Sequence, residues 1–174
     1  NDNGYYGIAR NCFVYADILV RGKGNENGAA GGITSSCSGG GQVVNCYAGG
    51  TIRVLDEDAD CVAGLIGNLK GGVAVDNNVV LLTKVDGGEG STNVGLLCGN
   101  YSGDSGSHIH NNYVWEGTNL FGGVSSDHPK IAAFTSVGAS DLMTKAFYTD
   151  SLGWDFDSIW SWVGEEENGY PMIA

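Results

Sequence analysis

The chain has 174 residues and 42% of them are hydrophobic, enough for one domain with a sizeable core. Eight Lys and Arg against 20 Asp and Glu give a formal net charge of −12, which would repel nucleic acid or an anionic membrane surface. No apolar run approaches the length of a membrane span and no signal peptide is present, while a start at Asn1 without methionine reads as a mature or excised piece.

In chain order, the same short phrases return. Gly7-Ile8 stands just ahead of Asn11-Cys12-Phe13-Val14, and this opening copy is cut short. Gly32-Ile33 then precedes Asn45-Cys46-Tyr47-Ala48, with candidate strands at Val43-Val44 and Thr51 to Leu55. A third copy runs from Gly64-Leu65-Ile66 through Val73-Ala74-Val75 to Asn78-Val79-Val80-Leu81, and a fourth from Gly95-Leu96-Leu97 to Asn112-Tyr113-Val114-Trp115. The asparagines Asn11, Asn45, Asn78 and Asn112 are 34, 33 and 34 residues apart, and Gly32, Gly64 and Gly95 are 32 and 31 apart. A fixed period of this size marks a repeat architecture in which each copy stacks on the last.

The stretches between the landmarks are β-branched and aromatic, bounded by Gly, Asn, Asp or Ser, so they predict short strands. Thirty glycines supply corners, and the two prolines, Pro129 and Pro171, fall after the last clear repeat, so the ladder is not interrupted. About three strands per period close into one turn of a parallel β-helix. The predicted fold is therefore all-β, a short parallel β-solenoid of about four coils over residues 1–138. Each repeated asparagine would sit at a coil corner, in the left-handed conformation or joined amide to amide with its neighbour. Cys12 and Cys46 would stack on adjacent coils, with Val79 and Tyr113 continuing their column. The five cysteines, Cys12, Cys37, Cys46, Cys61 and Cys98, are expected to be mostly or wholly free and buried, Cys12 and Cys46 being the pair to check for a bridge.

Residues 139–174 form a capping segment of the same compact unit. A helix is predicted from Ala139 to Leu152, with Ser140 as N-cap, Asp141 in the first turn, an apolar face of Leu142, Met143, Ala146 and Phe147, and Gly153 at its end. Trp154, Trp160 and Trp162 would cover the exposed edge of the last coil; the competing role for them is a carbohydrate-stacking platform.

Catalytic signatures are absent: no His-Glu-x-x-His, no Gly-x-Ser-x-Gly elbow, no phosphate-binding loop, and no cysteine with an obvious histidine partner. Cations are too thinly spread to line a charge-stabilising site. His108 and His110 alternate, so on a strand they point the same way and could share a metal with His128 or Asp104. Asp56, Asp58 and Asp60 lie in the densest acidic run; Ca²⁺ would neutralise it, although the spacing is not that of an EF-hand and a solvated loop accounts for it. No cofactor is otherwise expected.

The stretch AGGITSSCSGGGQVVNCYAGGTIRV, within a resemblance covering about residues 28 to 125, resembles the GLUG-type repeats of bacterial surface proteins. The third copy departs from the pattern at Val79, where cysteine would be expected. The tail from Phe147-Tyr148-Thr149-Asp150 through Trp154, Trp160 and Trp162 to Tyr170-Pro171 is similar to the module that closes such repeats. The resemblance implies an extracellular or cell-surface location within a larger exported chain, either adhesin-like or beside the protease domain of an immunoglobulin A1 metallopeptidase. It implies a non-catalytic adhesive, spacing or substrate-positioning role, with a host or cell-surface protein or glycan as partner. A carbohydrate-binding or carbohydrate-active β-helix is the alternative.

Overall fold

The computed structural model describes residues 7–21, 28–55, 61–89, 91–102, 106–122, 133–166 and 168–174. The chain winds into a parallel β-solenoid. The first coil carries β1 (Ile8–Arg10), β2 (Phe13–Val20), β3 (Ala29–Gly31) and β4 (Thr34–Cys37). The second carries β5 (Gln42–Val44), β6 (Tyr47–Val54), β7 (Cys61–Ala63) and β8 (Ile66–Lys70). The third carries β9 (Ala74–Asp76), β10 (Val79–Asp86), β11 (Asn93–Gly95) and β12 (Cys98–Ser102). A fourth coil is begun by β13 (His108–His110), β14 (Tyr113–Trp115) and β15 (Asn119–Phe121). The coils thus hold four strands each rather than the predicted three, because the Gly32-Ile33 and Gly64-Leu65 pairs make a corner inside what reads as one apolar stretch.

Every strand pairs in parallel with its counterpart one coil away, giving sheets ordered β1-β5-β9-β13, β2-β6-β10-β14, β3-β7-β11 and β4-β8-β12. On the longest sheet, β14 and β15 both lie on β10, so the single long strand of the earlier coils is split by the turn at Glu116-Gly117-Thr118. The β6–β10 ladder slips by one residue between Leu82 and Lys84, which accommodates Thr83 as a bulge, whereas β2 follows β6 through all eight residues without a slip.

Parallel registry puts like on like inside the coils. Ala9, Val43, Val75 and Ile109 make one column; Val14, Ala48, Val80 and Val114 a second; Ile18, Ile52, Val85 and Leu120 a third. With Val62, Leu65, Ile66, Leu69, Val94, Leu97 and Cys98 they form the core, and most of these side chains are wholly buried. At roughly 2 kcal/mol for each fully buried aliphatic side chain, this stack is the main stabilising term.

The C-terminal segment differs from the sequence expectation. The helix is only α1 (Ala139–Leu142), with Gly138 rather than Ser140 at the N-cap and no side-chain cap, followed by a π-helical turn at Phe147–Ser151. Gly153, at φ +67°, ends it as expected. A two-stranded antiparallel hairpin, β17 (Trp160–Glu165) and β18 (Asn168–Ile173), follows β16 (Thr135–Val137), which pairs in parallel with β14.

Candidate binding surface

Among the described residues four non-glycine residues take the left-handed conformation, and all four are asparagines: Asn11, Asn45, Asn77 and Asn111, at φ 52° to 57°. Of the four asparagines expected at the corner, Asn11 and Asn45 take this conformation; Asn78 and Asn112 do not, although their side chains join amide to amide. In the third and fourth copies two asparagines are adjacent, and the corner takes the first of each pair. Phe13, Tyr47, Val79 and Tyr113 lie in one register, so Asn78 and Asn112, rather than the expected Val79 and Tyr113, continue the column of Cys12 and Cys46. The glycine phrase slips in the same way: Gly95 lies level with Ala63, and Leu96 is the counterpart of Gly64. Apolar inward residues Ile33, Leu65 and Leu97 set this register. Gly32 and Gly64 are needed where they stand, because a Cβ at either would meet the carbonyl of the next coil, at Gly64 and Leu96 respectively.

The two asparagine columns do different work. At the corner, Asn45 Nδ2 donates to Asn11 Oδ1 at 3.1 Å and Asn111 Nδ2 to Asn77 Oδ1 at 2.8 Å, so amides join coils in pairs. The inner column is buried. Asn78 Nδ2 donates to Val43 O at 2.8 Å and to Asn112 Oδ1 at 2.9 Å, while Asn78 Oδ1 accepts from Cys46 N at 2.9 Å. Asn112 repeats the arrangement one coil on, donating to Val75 O at 2.8 Å. The Oδ1 atoms satisfy Cys46 N and Asn78 N, which the corner leaves outside the ladder, while the Nδ2 groups add a second bond to strand carbonyls.

None of the five cysteines is joined in a disulfide. Cys12 is exposed; Cys37, Cys46, Cys61 and Cys98 are buried. Burial pushes the Cys46 and Cys98 thiols up to about 12 and raises Cys37, so these groups stay protonated and poorly nucleophilic.

Trp154, Trp160 and Trp162 belong to an aromatic cluster, but it covers the flank of the solenoid rather than its last edge. Trp154 and Trp160 are buried and stacked 4.3 Å apart, and both lie against Tyr47 on the outer face of the longest sheet. Tyr148 packs 5.1 Å from Trp154 and Trp162 is half-buried beside it. Three polar contacts tie this segment to the coils: Trp154 Nε1 to Asn77 O at 3.1 Å, Asn111 Nδ2 to Ser151 O at 2.6 Å, and Tyr47 Oη to Pro171 O at 2.8 Å. The edge of β14 is instead covered by β16. The outward column Phe13, Tyr47, Val79 and Tyr113 attracts the aromatic segment because it is apolar over all four coils. With their rings buried, Trp154 and Trp160 offer no stacking platform to a sugar.

His108 and His110 project from β13, both exposed, with ring centroids 5.9 Å apart. Their proposed companions Asp104 and His128 lie outside the described residues, as do Asp56, Asp58 and Asp60. Among the described residues no three metal-ligating side chains converge.

One surface went unnoticed in the sequence. Phe13, Tyr15, Tyr47 and Leu81 on the solenoid flank, with Tyr170 and Met172 of β18, line an apolar groove of about 480 Å³. Tyr15 is 75% exposed and Tyr170 52%. The available signal was the alternation in Phe13 to Val20, whose odd positions carry Phe, Tyr and Leu on the outward face.

Comparison of the chain with family models, with curated proteins and with solved structures finds no match. Among the described residues no helix is long and apolar enough to cross a membrane, which does not bear on β-barrels.

Proposed function

We propose that the chain is a non-catalytic repeat module of a larger exported bacterial surface protein, acting as an adhesive, spacing or substrate-positioning unit that meets a host or cell-surface protein or glycan. The observation that carries this reading is the parallel ladder of stacked coils, with its flank braced by the aromatic segment: a stiff body whose binding potential lies in exposed loops and faces. The potentially reactive groups inside the body serve the fold. Buried thiols are held protonated, and the inner asparagines are consumed by backbone groups of neighbouring coils. The surface location, the bacterial source and the kinship with adhesin-like or immunoglobulin A1 metallopeptidase chains rest on the resemblance of AGGITSSCSGGGQVVNCYAGGTIRV to GLUG-type repeats.

The aromatic groove favours a second reading, carbohydrate binding, because exposed tyrosine rings stack on sugar faces. Beads coated with the purified chain test both on host-cell monolayers and on a glycan array. Retention on cells supports the adhesive role, and retention no better than on bare beads refutes it. Glycan binding that disappears in Tyr170→Ala transfers the function to the groove, and release of reducing ends from a bound polysaccharide overturns the non-catalytic reading.

A further inference from the structure

The outer face of the β1-β5-β9-β13 sheet carries two columns of side chains. Ile8, Gln42, Ala74 and His108 share one register, and Arg10, Val44, Asp76 and His110 share the other. On β13 the two histidines flank Ile109, which is buried in the inward column above Val75, so both imidazoles stand exposed on the same face. Cα atoms two residues apart on a strand are separated by roughly 6.6 Å, whereas the ring centroids of His108 and His110 are 5.9 Å apart, so the rings lean together rather than splaying. With metal–nitrogen bonds of about 2.1 Å, two imidazoles on one tetrahedral ion have centroids roughly 5 Å apart. Small rotations about exposed side-chain bonds close that gap.

The strand that carries the pair is pinned to the coil beneath it. Ser107 Oγ accepts from Gly72 N at 3.0 Å, His108 N donates to Val73 O at 2.8 Å, and the left-handed Asn111 closes the strand with its amide bond to Asn77. A backbone fixed in this way has little ordering left to lose when a ligand bridges the rings. The charge beside the pair has the sign a cation needs. Asp76 lies level with His110 on the preceding coil, and its Oδ1 accepts from His110 N at 3.2 Å, which fixes a carboxylate next to the imidazoles. The cation in these columns, Arg10, lies three strands away and is bonded to Gln42. The net charge of −12 adds a general attraction for cations.

We propose that His108 and His110 form a two-imidazole chelate for one late transition-metal dication, with the Asp76 carboxylate as its charge partner and water in the remaining positions. The donors select the metal. Neutral imidazole suits Cu²⁺, Ni²⁺ and Zn²⁺, and the affinity order for such donors places Cu²⁺ above the other two. A hard ion such as Ca²⁺ wants an all-oxygen shell, which two imidazoles do not supply. The chelate is complete within one strand, so it needs neither Asp104 nor His128, the companions expected from the sequence.

Calorimetric titration of the untagged chain with Ni²⁺ and Zn²⁺ tests this, in a Cys12→Ser background that removes the exposed thiol as a competing ligand. One ion should bind per chain, and excess Ca²⁺ should leave the isotherm unchanged. His108→Gln and His110→Gln should each weaken binding at least about 10-fold, since the loss of groups that merely orient a ligand already costs roughly 10- to 100-fold. Both changes are on exposed side chains, so the circular dichroism spectrum should not move. Asp76→Asn keeps an acceptor for His110 N while removing the charge, and should weaken binding by less than either histidine change. Electron paramagnetic resonance of the Cu²⁺ complex counts the donors: coupling to two imidazole nitrogens in the parent chain, and to one in each single variant. Absence of binding, or an isotherm unchanged in both histidine variants, overturns the proposal. So does a Cu²⁺ spectrum without nitrogen coupling, or binding lost in His128→Gln while His108→Gln is harmless.

Discussion

Replacing Asn78 by alanine removes the side chain that closes the inner polar column. Asn78 is fully buried, and the truncation strips a partner from Val43 O and from Cys46 N, while Asn112 Oδ1 keeps only its 3.2 Å bond from Asn78 N. Cys46 N is orphaned at about 1–3 kcal/mol, Val43 O keeps only its ladder bond to β9, and a small cavity is added, so the expected loss is roughly 2–4 kcal/mol. That is a large fraction of the stability of an ordinary domain. Urea unfolding followed by tryptophan fluorescence reads it directly. Asn78→Asp separates hydrogen bonding from packing, because its shape is unchanged and its oxygen still accepts from Cys46 N, yet it turns an acceptor toward Val43 O and Asn112 Oδ1. Burial would raise the folded-state pKa of this carboxyl above its unfolded value, so the variant is best matched to wild type below about pH 4 and falls away as pH rises. A loss under about 1.5 kcal/mol for Asn78→Ala, or an Asn78→Asp variant equal to wild type at neutral pH, would refute the assignment of the column.

Asn45→Val forces a β-branched residue to φ 54° and breaks the amide pair with Asn11, so it should lower the melting temperature, at about 1–2 kcal/mol, where Glu165→Gln on the exposed hairpin leaves it unmoved. Gly64→Ala drives a Cβ into the Leu96 carbonyl and the Val80 side chain, and should give a protein that is largely insoluble or unfolds at markedly lower urea; a fully stable variant would contradict the corner packing. Raised thiol pKa values predict alkaline instability: the unfolded thiols ionise near their ordinary 9.0 while Cys46 and Cys98 resist to about 12, so stability is complete below pH 9 and falls as pH climbs through that window. Thermal melts at successive pH values check it. In the folded protein at pH 8, a thiol reagent should modify Cys12 first, the buried four following only on unfolding.

The sequence by itself determined the architecture. A period near 33 with glycine and asparagine at its corners and β-branched strands between them leaves stacking as the way to bury the apolar side chains, and a parallel solenoid forms. It also carried the lack of disulfides and the left-handed Asn11 and Asn45. Register to one residue was not legible, since Asn77-Asn78 and Asn111-Asn112 each offer two candidates; the choice falls to inward columns such as Val14, Ala48, Val80 and Val114, whose contacts span whole coils. The aromatic tail was visible as a cluster, but its seat was not. Whether Trp154 and Trp160 cover the end or the flank depends on which outward column is apolar along its length, and that column, Phe13, Tyr47, Val79 and Tyr113, exists only once the coils are stacked. The groove beside it has the same origin: Tyr15 and Tyr170 are separated by most of the chain, and only the hairpin's return to the solenoid flank brings them together.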